Sequence, residues 1–176
     1  MKQTIEFHIL DYLRLGEQES VGSSNWLSAD EATWKSGLGF TDTAGLSLHL
    51  RDRLIRRNDF ERVPTLIQTE LEQRHSDNVQ RIQDMVQEFV EMNQQLQSSD
   101  IRYLNLKGLL LAPDFVEPLE RRAQYDYDFL AKKEDQQKGF SLFLEQGSSS
   151  LHSTRELAAD HLPPLIRKWG WKWNGN

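Results

Sequence analysis

Cysteine is absent from the 176-residue chain, which removes disulfide frameworks, thiolate zinc sites and cysteine nucleophiles. Long apolar runs are missing too. The stretch Leu109 to Ala112 after Gly108 falls far short of the ~20 residues that cross a bilayer. Glu6 and Asp11 interrupt the amino terminus, where a secretory signal needs an uncharged apolar run. Cytoplasmic residence is therefore the default expectation. Positive charge is in deficit, with 21 Lys and Arg against 27 Asp and Glu and a net charge of −6. The basic surplus of a dedicated nucleic-acid binder is lacking. What is present is 38% hydrophobic and 27% charged residues, a composition that supports a modest core and argues against a fully disordered chain. The length suits one domain, or one small domain with a helical appendage.

The amino-terminal part reads as short helices with irregular joints. Ile5, Ile9, Tyr12 and Leu13 recur at helical spacing, with Gly16 as the stop. Gly16 to Asn25, rich in Gly, Ser, Glu and Gln, reads as a loop. Ser28 and Glu31 have capping-box spacing, and the helix they open carries Trp34 and is expected to end at Gly37. Leu46, Leu50, Leu54 and Ile55 mark a further amphipathic stretch. It also holds Arg51, Arg53, Arg56 and Arg57, but Asp52, Asp59 and Glu61 dilute their field. A solvated helix face is favoured there over a nucleic-acid patch.

Proline and glycine are both missing from Thr65 to Lys107, between Pro64 and Gly108. Thr65 and Gln68 form a weak capping box, and Val79, Ile82, Val86, Phe89 and Leu96 then follow at spacings that put them on one helical stripe, with Met85 and Val90 on its flanks. The cluster His75-Ser76-Asp77-Asn78 is a candidate break. A coiled coil is the rival reading, but the pattern lasts too few heptads to favour it. His75 has no second ligand at helical spacing and reads as a surface residue.

Beyond Ser98 the pattern changes. Ile101, Tyr103, Leu104 and Leu106 suggest a strand ending at Lys107-Gly108, followed by a helix from Leu109 that Pro113 disrupts. A loop with Pro118 leads to a second strand, Ala123 to Ala131. A helix from Lys133 to Glu145 follows, with Phe140, Phe143 and Leu144 on one side and Gly147 as its stop. Ser153 and Glu156 form another capping box, and Pro163-Pro164 can start a last helix running to Gly170. The order helix, strand, helix, strand, helix predicts a small α/β or α+β domain.

Chemistry concentrates in Arg122 to Leu130, around Asp126-Tyr127-Asp128. On a strand, residues two apart share a face, so Asp126 and Asp128 would aim at one point while Tyr127 and Phe129 turn into the core. Two adjacent carboxylates tolerate each other when a cation neutralises them or one is protonated. Oxygen ligands of this kind suit Mg²⁺, which keeps several waters and completes its shell with phosphates. Asp-x-Asp is also common by chance, and an exposed strand end carries it harmlessly. Upstream, Leu106-Lys107-Gly108 joins strand to helix. There Gly108 would let phosphate approach the backbone, the helix N-terminus offers N–H donors, and Lys107 adds charge. The plain alternative is that Gly108 only makes the turn.

Together these residues resemble a bacterial family of uncharacterised nucleotidyltransferases. Its members read Leu-Lys-Gly, a short helix and loop, Arg, then Asp-x-Asp followed by two apolar residues and an acidic helix start. Here those positions are Leu106-Lys107-Gly108, Arg122, Asp126, Asp128 and Phe129 to Asp135. The family falls within the DNA polymerase beta-like nucleotidyltransferase superfamily. The resemblance is close from Ile101 to Gly147 and looser from Ser153 to Gly170. It implies a small sheet with flanking helices over 65–176, preceded by a helical region over 1–64. It also implies transfer of a nucleoside monophosphate from an NTP to an acceptor of unknown class. Asp126 and Asp128 would hold Mg²⁺ in a two-metal arrangement. Gly108 and Lys107 would receive the β- and γ-phosphates. Arg122 would contact phosphate or steady the loop, with an ion pair to Glu120 or Asp114 at least as well supported.

Two departures accompany the resemblance. The superfamily usually has Gly-Ser where this chain has Lys107-Gly108, although the narrower family shares the Lys-Gly form. The superfamily's third carboxylate comes from a later strand, and Glu134, Asp135, Glu145, Glu156 and Asp160 all fall on expected helices or their ends. The chain is thus expected to be incomplete at its carboxyl end or to be a noncatalytic variant. Asp160 and His161 are possible substitutes, with capping or packing the favoured role. Trp171 and Trp173 would share a strand face that a missing segment or a protein partner covers. A noncatalytic interaction module with a vestigial Asp-x-Asp is the alternative function. A metal-dependent hydrolase using His152 ranks third.

Overall fold

The computed structural model describes residues 4–14, 24–111, 114–115, 118–121, 126–150 and 165–166. They form a mixed α/β, mostly helical protein. In chain order the helices are α1 (Ile5–Leu13), α2 (Glu31–Ala44), α3 (Ser47–Arg56), α4 (Thr65–Ser98) and α5 (Lys133–Glu145). The strands are β1 (Tyr103–Leu106), β2 (Asp128–Ala131), β3 (Ser149–Ser150) and β4 (Leu165–Ile166). Two packed units divide the described residues, one within 1–83 and 113–123, the other within 84–112 and 124–174.

The first unit is helical. Ile5, Ile9 and Tyr12 of α1 are buried as their spacing predicts, and Arg14 caps the helix. Gly16 lies outside the described residues. Helix α2 begins later than the Ser28 and Glu31 box suggests, because Ser28 closes a 3₁₀ turn and Asp30 is the cap, its Oδ1 accepting from Thr33 N–H at 2.7 Å. The helix also runs through Gly37, the expected stop, and ends at Gly45 in the left-handed conformation (φ 68°). Gly37 serves helix packing: a Cβ there would lie 2.8 Å from Ile9 Cδ1 and 3.0 Å from Ile5 Cγ1. Absence of a side chain lets α1 and α2 approach. Trp34 and Leu38 of α2, Leu50 and Leu54 of α3, and Ile67 and Leu71 of α4 complete this core with Leu27 and Val63. Ile55, by contrast, is exposed.

Polar links brace these helices. Arg74 on α4 grips Asp42 on α2 with Nε and Nη2, each at 2.8 Å, and Ser47 Oγ lies 2.6 Å from Asp42 Oδ1. Burial alone would raise the Asp42 pKa, but the Arg74 and Ser47 hydrogen bonds outweigh it and the net direction is down. Arginines of α3 and its C-cap Arg57 are engaged within this unit. Arg51 meets Glu72 at 2.8 Å, Arg56 pairs with Asp52, and Arg57 stands 4.8 Å over the Tyr12 ring. A solvated, charge-paired face is what the interleaved acids predict.

Helix α4 is one unbroken helix of 34 residues, so His75 to Asn78 does not break it. Asn78 is instead fully buried and donates its side-chain N–H to the Glu120 carbonyl within the first unit. Gln68 does not reach back to Thr65 as a capping box would; its Nε2 donates to the Val63 carbonyl at 2.9 Å. In the second unit the buried stripe is also rotated from the expected one. Met85 and Leu96 are buried and Val86 and Val90 exposed, which turns the helix toward Glu88, Phe89 and Asn93.

Strands β1 and β2 pair antiparallel, with Tyr103 opposite Ala131, Leu104 opposite Leu130 and Leu106 opposite Asp128. One face of this sheet packs on α4 and α5 through Phe129, whose ring centroid lies 6.4 Å from Phe89, 5.8 Å from Tyr103 and 6.2 Å from Phe143. Tyr103 Oη donates to Asn93 Oδ1 at 2.7 Å and Asn105 Nδ2 to the same oxygen at 2.8 Å, pinning β1 to α4. Helix α5 has its expected bounds and stops before Gly147 (φ 91°). Its buried positions are Asp135 and Gly139, whereas Leu144 is exposed. Leu165–Ile166, expected in a helix, instead pairs antiparallel with Ser149–Ser150. The Ser153 and Glu156 box, Asp160, His161, His152 and the tryptophans from Trp169 on lie outside the described residues.

Candidate functional site

Four of the five sequence-derived site residues, Lys107, Gly108, Asp126 and Asp128, are described and belong to the second unit. Arg122 lies outside the described residues. The second strand is shorter than Ala123 to Ala131: it begins at Asp128, and Asp126 and Tyr127 precede it outside any regular element. Alternation sorts Tyr127, Asp128 and Phe129 as expected. Tyr127 stacks on Phe89 at 5.9 Å, joining Phe129 on the packed side. Asp128 shares the opposite face with Leu130 and, across the ladder, Leu104 and Leu106. These three leucines are exposed, so Asp128 sits on an accessible apolar face.

Tyr127 is the anchor of the Asp-x-Asp segment. Its hydroxyl lies 2.8 Å from Glu88 Oε2 and 3.0 Å from the Met85 carbonyl, both on α4. Glu88 is buried, which is costly for a carboxylate without partners. Sequence reading missed both Glu88 and Asn93, since each looks like a polar-face residue of α4. The only available signal was that they flank Phe89 on the side facing the sheet.

Helix formation after Gly108 does not go as expected. Gly108–Leu111 is a single 3₁₀ turn of 4 residues, too short for the dipole of an α-helix to develop. What the junction does provide is an unusual bend. Lys107 and Gly108 both have positive φ, 37° and 62°. Gly108 adopts this freely, but for a lysine it is uncommon and strained. The bend ends β1 and brings the Lys107 ammonium to 3.0 Å from Asp128 Oδ2. That oxygen is shielded from solvent and makes no hydrogen bond, so the contact is an ion pair. Strand register explains the meeting: Leu106 opposes Asp128, and Lys107 is the next residue.

Residues 30–165 match the family described as uncharacterised nucleotidyltransferase. The chain belongs to this family. Its match takes in α2 and α3 as well as the Asp-x-Asp segment, so the amino-terminal helices are part of the family pattern and extend it beyond the motif region. Comparison with curated proteins and with solved structures returns no match.

For a nucleotidyltransferase the implied metal is a divalent cation, and its candidate oxygen donors here are Asp126 and Asp128. Asp126 is exposed, and Asp128 offers hard oxygens where a positive charge is already held. Among the described residues no cluster of three or more His, Cys, Asp or Glu side chains could hold a metal ion. A cation at the two aspartates would therefore draw its remaining ligands from water and phosphate, as Mg²⁺ commonly does. Among the same residues no helix is long and apolar enough to cross a membrane.

Proposed function

We propose that the protein binds an Mg²⁺–NTP complex at Asp126, Asp128, Lys107 and Gly108 and transfers its nucleoside monophosphate to an acceptor hydroxyl. The observation that carries this reading is the Lys107–Asp128 contact at 3.0 Å at the end of β1, in a chain of the nucleotidyltransferase family. It puts a phosphate-seeking cation next to a metal-seeking carboxylate. In the reaction the acceptor oxygen bonds to the α-phosphorus while the bond to the α,β-bridging oxygen breaks. Pyrophosphate leaves with that electron pair, and the hydroxyl proton passes to water. Bound Mg²⁺ supplies charge neutralisation on the phosphates and lowers the pKa of the attacking hydroxyl.

The chain's own residues position the groups. Asp126 and Asp128 orient the metal–triphosphate, and Lys107 offers its ammonium to the outer phosphates. Gly108, buried and at φ 62°, makes the bend that sets Lys107 beside Asp128. Arg122 is a further phosphate contact in this reading. Electrostatic positioning is most of what phosphoryl transfer requires of a protein.

A second reading is a noncatalytic interaction module, favoured by the exposed Leu104, Leu106 and Leu130 around Asp128. Nucleotide binding separates the two. Thermal unfolding is to be followed with ATP, GTP, CTP and UTP, each with and without Mg²⁺. An Asp126→Asn, Asp128→Asn double variant runs beside the natural sequence. A magnesium-dependent rise in Tm, lost in a folded double variant, supports the transferase reading, because a ligand of the folded state stabilises it by mass action. No rise at millimolar ligand leaves the interaction module.

A further inference from the structure

Resting on the reading of Asp128 as a metal ligand, we propose that Lys107 gates the metal site. Without nucleotide its ammonium occupies the shielded oxygen of Asp128, and an arriving triphosphate draws it away and opens that oxygen to the metal. Lys107 is then an exchange device that makes metal binding at Asp128 depend on the nucleotide.

Geometry is the first support. Asp128 Oδ2 is closed to solvent, and the Lys107 ammonium stands 3.0 Å from it. With the ammonium in place a divalent cation binds Asp128 less well, since two positive centres then compete for one carboxylate. Accessibility is the second. The Lys107 side chain is 62% exposed and that of Asp128 is 32% exposed, so the ammonium can swing outward without disturbing the packed face. Partly exposed ion pairs of this kind are weak and readily exchanged. The backbone is the third support. A lysine held at φ 37° beside Gly108 at φ 62° is strained, and the bend that holds it there is what aims the side chain back along the sheet to Asp128. Charge supplies the direction of exchange. A triphosphate carries several negative charges against the single charge of Asp128, so the ammonium prefers the nucleotide once it is present.

Two variants separate this role from a structural one. Lys107→Asn removes the ammonium and keeps a residue that tolerates positive φ, and Lys107→Gly removes it and relieves the strain. Both are expected to fold, which circular dichroism checks. Free Mn²⁺ is measured by electron paramagnetic resonance during titration with metal alone. ATP binding in EDTA is measured separately by calorimetry. The gate predicts opposite changes: Mn²⁺ binds about 3–10-fold tighter to the variants, and metal-free ATP binds at least about 3-fold weaker. Loss of structure would weaken both. If folded variants bind Mn²⁺ no tighter than the natural sequence, the gate is wrong while the nucleotidyltransferase reading stands. If neither natural protein nor variants bind Mn²⁺ with or without ATP, both the gate and the reading beneath it fail.

Discussion

Removing the Tyr127 hydroxyl tests how the Asp-x-Asp segment is held. Tyr127→Phe keeps the ring and its 5.9 Å stack on Phe89, so the apolar contribution is unchanged. It deletes a hydroxyl 2.8 Å from Glu88 Oε2 and 3.0 Å from the Met85 carbonyl. One proton serves one acceptor at a time, so the two contacts amount to one donated hydrogen bond, with the carboxylate the stronger partner. A hydrogen bond to a charged group contributes about 1.5–3 kcal/mol. Tyr127 is only half-buried, so solvent screening brings the expected loss to the low end of that range or just under it, about 1–2 kcal/mol. For a chain of this size that lowers Tm by about 2–8 °C. Urea unfolding of Tyr127→Phe, Glu88→Ala and the double variant gives the coupling between the two side chains. Coupling of about 1 kcal/mol or more is expected. A Tyr127→Phe change within about 0.3 kcal/mol of zero, with no coupling, would refute the anchor, because it lies within the scatter of independent sites.

Two further outcomes follow from the helical unit. Gly37→Ala places a methyl group 2.8 Å from the fully buried Ile9, so overpacking of about 1–3 kcal/mol should outweigh the ~1 kcal/mol gained in helix propensity. Gly39→Ala, with nothing within 4 Å, should stabilise by up to about 1 kcal/mol, and equal effects at both sites in urea unfolding would contradict the packing. The Asp42 carboxyl is held below its ordinary pKa in the fold, so the stability it adds is present above the unfolded value near 3.9 and is lost as pH falls through the folded value. Asp42→Asn should therefore cost about 1–2 kcal/mol at pH 7, after allowing for solvent screening. The gap should narrow as pH falls below the unfolded value and through the lowered folded one, and a gap independent of pH would contradict the assignment.

Period and punctuation made much of this fold legible. Helix α5 falls at its expected bounds, β1 matches the alternation of Tyr103 to Leu106, and the Gly- and Pro-free stretch from Thr65 to Lys107 holds α4. Elsewhere tertiary contacts overrode local signals. Gly37 looks like a helix stop, but its missing side chain serves the approach of α1, a fact that only the partner helix reveals. Met85 replaces Val86 on the buried stripe because the sheet approaches α4 from one side, which composition does not encode. Leu165–Ile166 follows a Pro-Pro pair that suits a helix start, yet it finds an antiparallel partner after Gly147. At the site, alternation placed Tyr127 and Asp128 on opposite sides. The Lys107–Asp128 contact was not legible, because it depends on strand register and on a positive φ at a lysine.

The nucleotide site is tested most directly by crystals grown with Mn²⁺ and a nonhydrolysable NTP analogue, using the anomalous signal of the metal. The account predicts a peak about 2.1–2.2 Å from carboxylate oxygens of Asp126 and Asp128, close to the range for small octahedral cations, with phosphate oxygens completing its shell. Nucleotide bound elsewhere, or a peak that touches neither aspartate, would contradict it.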